Sequence, residues 1–241
     1  METQEQETKL EQKLPTNKLS IPMAIIVAGV VIAGAIYFSS IKSPNTTDPT
    51  AIASLLDKIR PVSKTDHIRG DINAPIKIVE YSDIECPFCK KFYATMQQIN
   101  DEYGASGKVA WIYRHSPIDS LHPNARKDAE ATECANELGG NNKFWEYLDR
   151  LHEIMPEQGQ LDPKELPKVA EYIGLNVTDF NTCLSSGKYA ELIQKDVQNA
   201  SDTGSRGTPW SIVLLENGQK FSIEGAQPYE MIKQNIDTSL K

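Results

Sequence analysis

The chain has 241 residues, 25 Lys and Arg against 33 Asp and Glu, a formal net charge of −8, and 39% hydrophobic residues. This balance is globular, not collagen-like, coiled-coil or disordered, and the acidic excess excludes the basic face that nucleic-acid binding requires. Four cysteines are too few for a disulfide-built scaffold of this length, but they suffice for one reactive pair and one other pair.

Residues 19–41 carry no charge, and 21–38 (IPMAIIVAGVVIAGAIYF) are almost wholly apolar. Wound as a helix, the uncharged run reaches about 34 Å, enough to cross a hydrocarbon layer of ~30 Å. Tyr37 and Phe38 stand at one end, where interfacial aromatics belong. The alternative is a cleaved signal peptide, with a small-residue site at Ala33, Gly34 and Ala35. Its apolar region would be shorter than this one, and the small residues fall inside the apolar run. The expectation is a short cytoplasmic tail over 1–20 and a transmembrane anchor over 21–41. Lys9, Lys13 and Lys18 precede the span, so the positive-inside rule keeps the N-terminus in the cytoplasm and the rest of the chain outside it.

Residues 42–65 read as a linker and a short helix. The segment 43–50 (SPNTTDPT) has nothing to bury and spans at most ~29 Å when extended; 51–60 (AIASLLDKIR) suits a short amphipathic helix stopped by Pro61. Beyond it, the pattern predicts a strand over 75–82, a helix over 87–103 and a strand over 108–114. Helices follow over 124–138, 144–154, 163–173, 178–185 and 188–200, with Gly139 and Gly140 closing the first. Strands over 211–216 and 219–223 flank Asn217-Gly218, the signal for a type I′ hairpin, and Pro228 opens a last helix. Sheet elements thus surround a helical block, which reads as an insertion packed over the sheet.

Cys86-Pro87-Phe88-Cys89 sits directly between a predicted strand and a predicted helix. Zinc needs three or four protein ligands, yet there is no second C-x-x-C, and His67, His115, His122 and His152 form no H-x3-5-H pair. The strand–CxxC–helix context favours redox chemistry instead. Pro87 suits the first helical turn, which places Cys86 at an exposed helix tip, where free N–H groups and the helix dipole stabilise a thiolate. Cys89, Phe92, Met96, Ile99 and Tyr103 share one face at helical spacing, so Cys89 points inward. One thiol attacks and the other resolves.

The segments IVEYSDIECPFCKKF (78–92), RHSPI (114–118), HPNA (122–125), RGTPW (206–210) and EGAQPYE (224–230) resemble, in order and spacing, the DsbA-like thiol–disulfide oxidoreductases of the thioredoxin superfamily. The resemblance runs from about residue 66 to the C-terminus. It implies an α/β thioredoxin-like fold over 66–241 with a helical insertion over about 118–203, here preceded by one transmembrane helix. It further implies a cis Thr208–Pro209 bond facing the cysteines and, with Pro87 and Phe88, a surface where a substrate strand adds to the sheet edge; a trans proline opening the next strand is the alternative. Glu80, six residues before Cys86, matches the family's buried acid, and strand alternation puts it on the face of Ile76 and Ile78, where it can take the resolving thiol's proton. A solvated strand glutamate is the other reading. Phe88 departs from the best-known oxidase motif, which has histidine there, and that leaves the oxidising power open.

Cys134 and Cys183 lie at inward-facing helical positions; outside the cytoplasm an even leftover pair favours a structural disulfide over two buried thiols. No catalytic role falls to His115 or His122, and Trp111, Trp145 and Trp210 read as packing. No metal and no cofactor are expected. The expected function is membrane-tethered thiol–disulfide exchange on extracytoplasmic thiol-containing proteins, with disulfide formation foremost and reoxidation by a quinone-linked membrane partner. The alternatives are a reductase or isomerase for cytochrome or metal-site maturation, and a Cu(I) metallochaperone using both thiols.

Overall fold

The structure is a computed structural model that describes residues 49–241. The expected tail and anchor, and the start of the linker, lie outside the described residues. Among the described residues no helix is long and apolar enough to cross a membrane.

The elements run α1 (Pro49–Leu56), β1 (His67–Arg69), β2 (Ile76–Ser82), α2 (Pro87–Ile99), β3 (Val109–His115), α3 (Ala125–Ile154), α4 (Glu165–Tyr172), α5 (Val177–Ser186), α6 (Ala190–Asp202), β4 (Trp210–Leu215), β5 (Lys220–Glu224) and α7 (Tyr229–Ser239). The sheet order is β1-β3-β2-β4-β5. β2 and β3 are parallel, joined through α2, and the other pairings are antiparallel. This is a thioredoxin-like α/β sheet with helices α3–α6 inserted between β3 and β4.

Both faces of β2 are buried, as a central strand requires. Ile76 and Ile78 face a core with Phe92 and Met96 of α2, Trp111 and Tyr113 of β3, Ile232 and Ile236 of α7, and Phe144, Trp145 and Leu148 of the insertion. Val79 and Tyr81 face a second core with Leu56, Ile112, Ala200 and Ile212. Arg114, 1% exposed, locks the segment after α1 to this second side: its guanidinium donates to Asp66 at 2.8 Å, to the Tyr81 hydroxyl at 3.0 Å and to the Arg60 carbonyl at 3.0 Å.

Four details differ from the sequence reading. The first helix ends at Leu56 and not at residue 60. The helix after the cysteines stops at Ile99 and continues as one π-helical turn, Asn100–Gly104. The β4–β5 connection is not a type I′ turn: only Gly218 takes a positive φ, 85°, and the Gln219 N–H donates to the Asn217 side chain instead. Edge strand β1 went unpredicted. Its outer edge is not left bare, since Asn141 of α3 accepts from Ile68 N–H at 3.0 Å and donates to Ile68 C=O at 2.8 Å. Asn141 reaches that edge because α3 breaks at Gly140, at φ 74° and ψ −173°, where the sequence placed a helix end.

Candidate active site

β2 delivers the chain to a tight turn, closed by the Cys86 N–H donating to the Asp83 carbonyl at 3.1 Å. Cys86 is the N-cap of α2 in extended conformation, with Pro87 in the first helical turn and no side-chain cap. The first N–H groups of the helix are therefore available to the Cys86 sulfur. Its thiol is pushed down to about 6, chiefly by a hydrogen bond from the Cys89 thiol; burial opposes this, while the Cys89 and Phe88 backbone groups and a contact with Thr208 assist it. Cys89, one turn into α2, is fully buried. Its sulfur accepts from the Asp83 N–H at 3.4 Å, and burial, then the neighbouring Cys86, push its thiol well above the ordinary range.

One expectation is corrected here. Cys86 does not stand at an exposed tip: it is 6% exposed, its sulfur lying 3.6 Å from the Thr208 carbonyl. The tip belongs to Phe88, 61% exposed, with the Lys91 ammonium 5.8 Å from its ring centre. Pro87 beside it is half-buried. The Thr208–Pro209 bond is cis, and the Pro209 carbonyl accepts from Gly225 N–H at 3.0 Å. A cavity of about 200 Å³ runs along this segment, lined by Arg206, Thr208, Pro209, Trp210 and Glu224 among others. A larger cavity, about 690 Å³, lies against Tyr93, Arg150 and Tyr172. Neither cavity is lined by a cysteine, but the smaller one includes Thr208, whose carbonyl lies 3.6 Å from the Cys86 sulfur.

Glu80 is fully buried on the Ile76–Ile78 face, opposite Ser211 of β4. One carboxylate oxygen accepts the Trp111 indole N–H at 2.9 Å, and the other has no partner among the described residues. Burial pushes its carboxyl up to about 7, against the pull of the nearby Ser82 hydroxyl and of that indole. Glu80 makes no hydrogen bond to either cysteine. Ser82, Tyr113 and Ser211 each carry a hydroxyl with no hydrogen-bond partner among the described residues, on the same side of the sheet, and Tyr113 feels the charges of both Glu80 and Cys89.

Several residues near the cysteines escaped the sequence reading. Asp83 accepts from Ile118 N–H at 2.7 Å and pairs with His122 at 2.8 Å, while Glu85 accepts from Asn124 and Leu161 N–H at 3.1 Å each. These two acids pin the loops after β3 and α3 around the CxxC turn. Their position flanking Cys86 was the available signal. Asp128 of α3 is buried with no hydrogen-bond partner among the described residues, and burial, then Glu85 and Asp83, push its carboxyl up to about 8. Farther off, an S–S bond joins Cys134 of α3 to Cys183 of α5.

The thioredoxin family model matches residues 62–238. The chain is 34% identical over 171 residues to the Na(+)/H(+) antiporter NhaA 3 of Salinispora tropica, covering 70% of this chain and 24% of that protein. It thus spans about a quarter of the length of the first curated relatives it matches. Among solved structures, alpha-DsbA1 of Wolbachia pipientis superposes with a TM-score of 0.65 at 22% identity, over 77% of this chain and 95% of that one. DsbA2 of Pseudomonas aeruginosa superposes with a TM-score of 0.60 at 25% identity, over 74% and 96%.

Proposed function

The chain belongs to the thioredoxin family; from that premise we propose that it is a thiol–disulfide oxidoreductase whose Cys86–Cys89 pair forms disulfides in extracytoplasmic proteins, held near the membrane by an anchor over 21–41. The observation that carries this reading is the inequality of the two thiols, one pushed down to about 6 at a helix N-terminus and the other buried behind it and pushed far up.

In the oxidised enzyme a substrate thiolate attacks the Cys86 sulfur. The Cys86–Cys89 bond breaks, and its electron pair leaves on Cys89, which takes up a proton. The substrate's second thiolate then attacks its own sulfur in the mixed disulfide and expels Cys86 as a thiolate. Two substrate thiols are oxidised to one disulfide, and the enzyme pair is reduced by the same two electrons. The low pKa of Cys86 makes it the better leaving group in the second step. Cys89 needs the proton, and Glu80, poised near neutrality, is the group that holds one at the buried end of the site. Thr208, Pro209, Pro87 and Phe88 form the surface against which the substrate strand lies. A quinone-linked membrane partner would return the pair to the disulfide.

The test is the Cys86–Cys89 reduction potential, with single-cysteine variants in a peptide-oxidation assay. A value less negative than about −180 mV fits a disulfide donor, whereas one near −270 mV moves the protein to the reductase reading. Cys86→Ser should abolish turnover, and Cys89→Ser should accumulate mixed disulfides. Full turnover by Cys86→Ser, or stoichiometric Cu(I) retention without any turnover, overturns the proposal.

A further inference from the structure

We propose that His67, His115 and Glu133 form a buried site for one divalent zinc-class cation, serving to tie the edge of the sheet to the helical insertion. His67 opens β1, His115 closes β3 and Glu133 lies on the first half of α3. Glu133 is 66 residues from His67 and 18 from His115 in sequence, so no local motif announces the set. In the fold, Nε2 of His67 lies 2.7 Å and Nε2 of His115 3.0 Å from the same oxygen, Glu133 Oε1. One ligand atom from each residue lies within 4.8 Å of the others. All three residues are buried.

The rings are held in place by packing. His67 stacks on Phe144 with centroids 3.5 Å apart and planes 4° from parallel, and His115 stands edge-on to Tyr113 and Phe144. Preorganised donors of this kind lose little freedom when an ion arrives.

The charge balance points the same way. Glu133 Oε1 faces both imidazoles from a buried position. Among the described residues its ion-pair partners are these two histidines, and no Lys or Arg joins them. A buried carboxylate needs positive charge beside it. It comes either from a proton shared with the imidazoles or from a metal ion.

Two imidazole nitrogens with one carboxylate oxygen suit zinc, whereas calcium and magnesium favour all-oxygen shells. The Thr132 hydroxyl lies 3.4 Å from His115 Nε2 and donates to the Ala129 carbonyl at 2.8 Å. Burial leaves no mouth for a substrate, so the role is structural. Zinc has no redox chemistry of its own and leaves the thiol exchange to Cys86 and Cys89.

The experiment uses the purified full-length chain, stripped of metal, with Cys86 and Cys89 oxidised so that they cannot ligate. Zinc titration by calorimetry should give one ion per chain. Melting should shift up by roughly 5–10 °C at a 100-fold excess over the dissociation constant. Glu133→Gln and His67→Gln should each weaken binding by more than the ~10–100-fold that loss of an outer-shell partner causes. Cobalt in place of zinc should show d–d absorption with no thiolate charge-transfer band, a readout that the wild-type chain supplies even if a variant fails to fold. No stoichiometric zinc on the folded, oxidised chain overturns the site, as does a thiolate band or unchanged affinity in a folded His67→Gln variant.

Discussion

At the residue scale, chemistry and stability meet in Glu80. Its carboxyl sits at about 7 against an ordinary 4.5, so the native state keeps a proton that the unfolded chain has released. The native state therefore binds more protons between those two values, and stability falls as pH rises through that window. The shift corresponds to roughly 3 kcal/mol. Glu80→Gln should remove the slope: relative to wild type, it should be about 3 kcal/mol more stable at pH 8 than at pH 4, read by urea unfolding at both values. An equal difference at the two pH values would show that Glu80 titrates as a solvated acid. Cys86 and Cys89 stood out through their strand–CxxC–helix context, whereas Glu80, Thr208 and Pro209 were singled out by the resemblance to DsbA-like proteins and not by their local pattern. The recess of Cys86 was not legible, since the Thr208 carbonyl that covers it arrives from 122 residues away. His67, His115 and Glu133 were illegible for the same reason.

At the element scale, the pattern located β2, β3, β4 and β5 and the helices, because hydrophobic period and Gly or Pro breaks mark them locally. The break at Gly140 and the hairpin at Gly218 were both visible as glycines, though the turn geometry at Gly218 depends on a side-chain bond that composition cannot show. β1, three residues long, is too short to carry a period; pairing with β3 makes it a strand. Within the insertion, α3 and α5 are joined by the Cys134–Cys183 bond across a separation of 49 residues. Closing a loop of that length in the unfolded chain contributes about 4 kcal/mol in the chain-entropy model. Cys134→Ala with Cys183→Ala should lower stability by roughly 2–5 kcal/mol, measured in urea, while the Cys86–Cys89 potential stays as in wild type. A comparable shift in that potential would give the second pair a redox role in place of a structural one.

At the scale of the whole molecule, the redox domain is expected outside the cytoplasm, where an oxidising setting lets a CxxC protein donate its disulfide. Protease added to intact cells stripped of outer barriers should digest the C-terminal domain and leave an N-terminal fragment in the membrane. A protected domain reverses the orientation, and a soluble mature form beginning after about residue 40 makes the apolar run a cleaved signal. The recess of Cys86 bears on when such an enzyme acts. A Cys86 residue only 6% exposed, its sulfur 3.6 Å from a backbone carbonyl, is open to a cysteine carried on a thin, extended stretch of chain sooner than to one on the convex surface of a finished globule. Clients still threading or newly emerged offer such stretches, and folded ones have withdrawn them. Under the proposed function, steric access alone would make the reaction a clock, admitting cross-links early in a client's maturation and sparing the free thiols of proteins that have already folded.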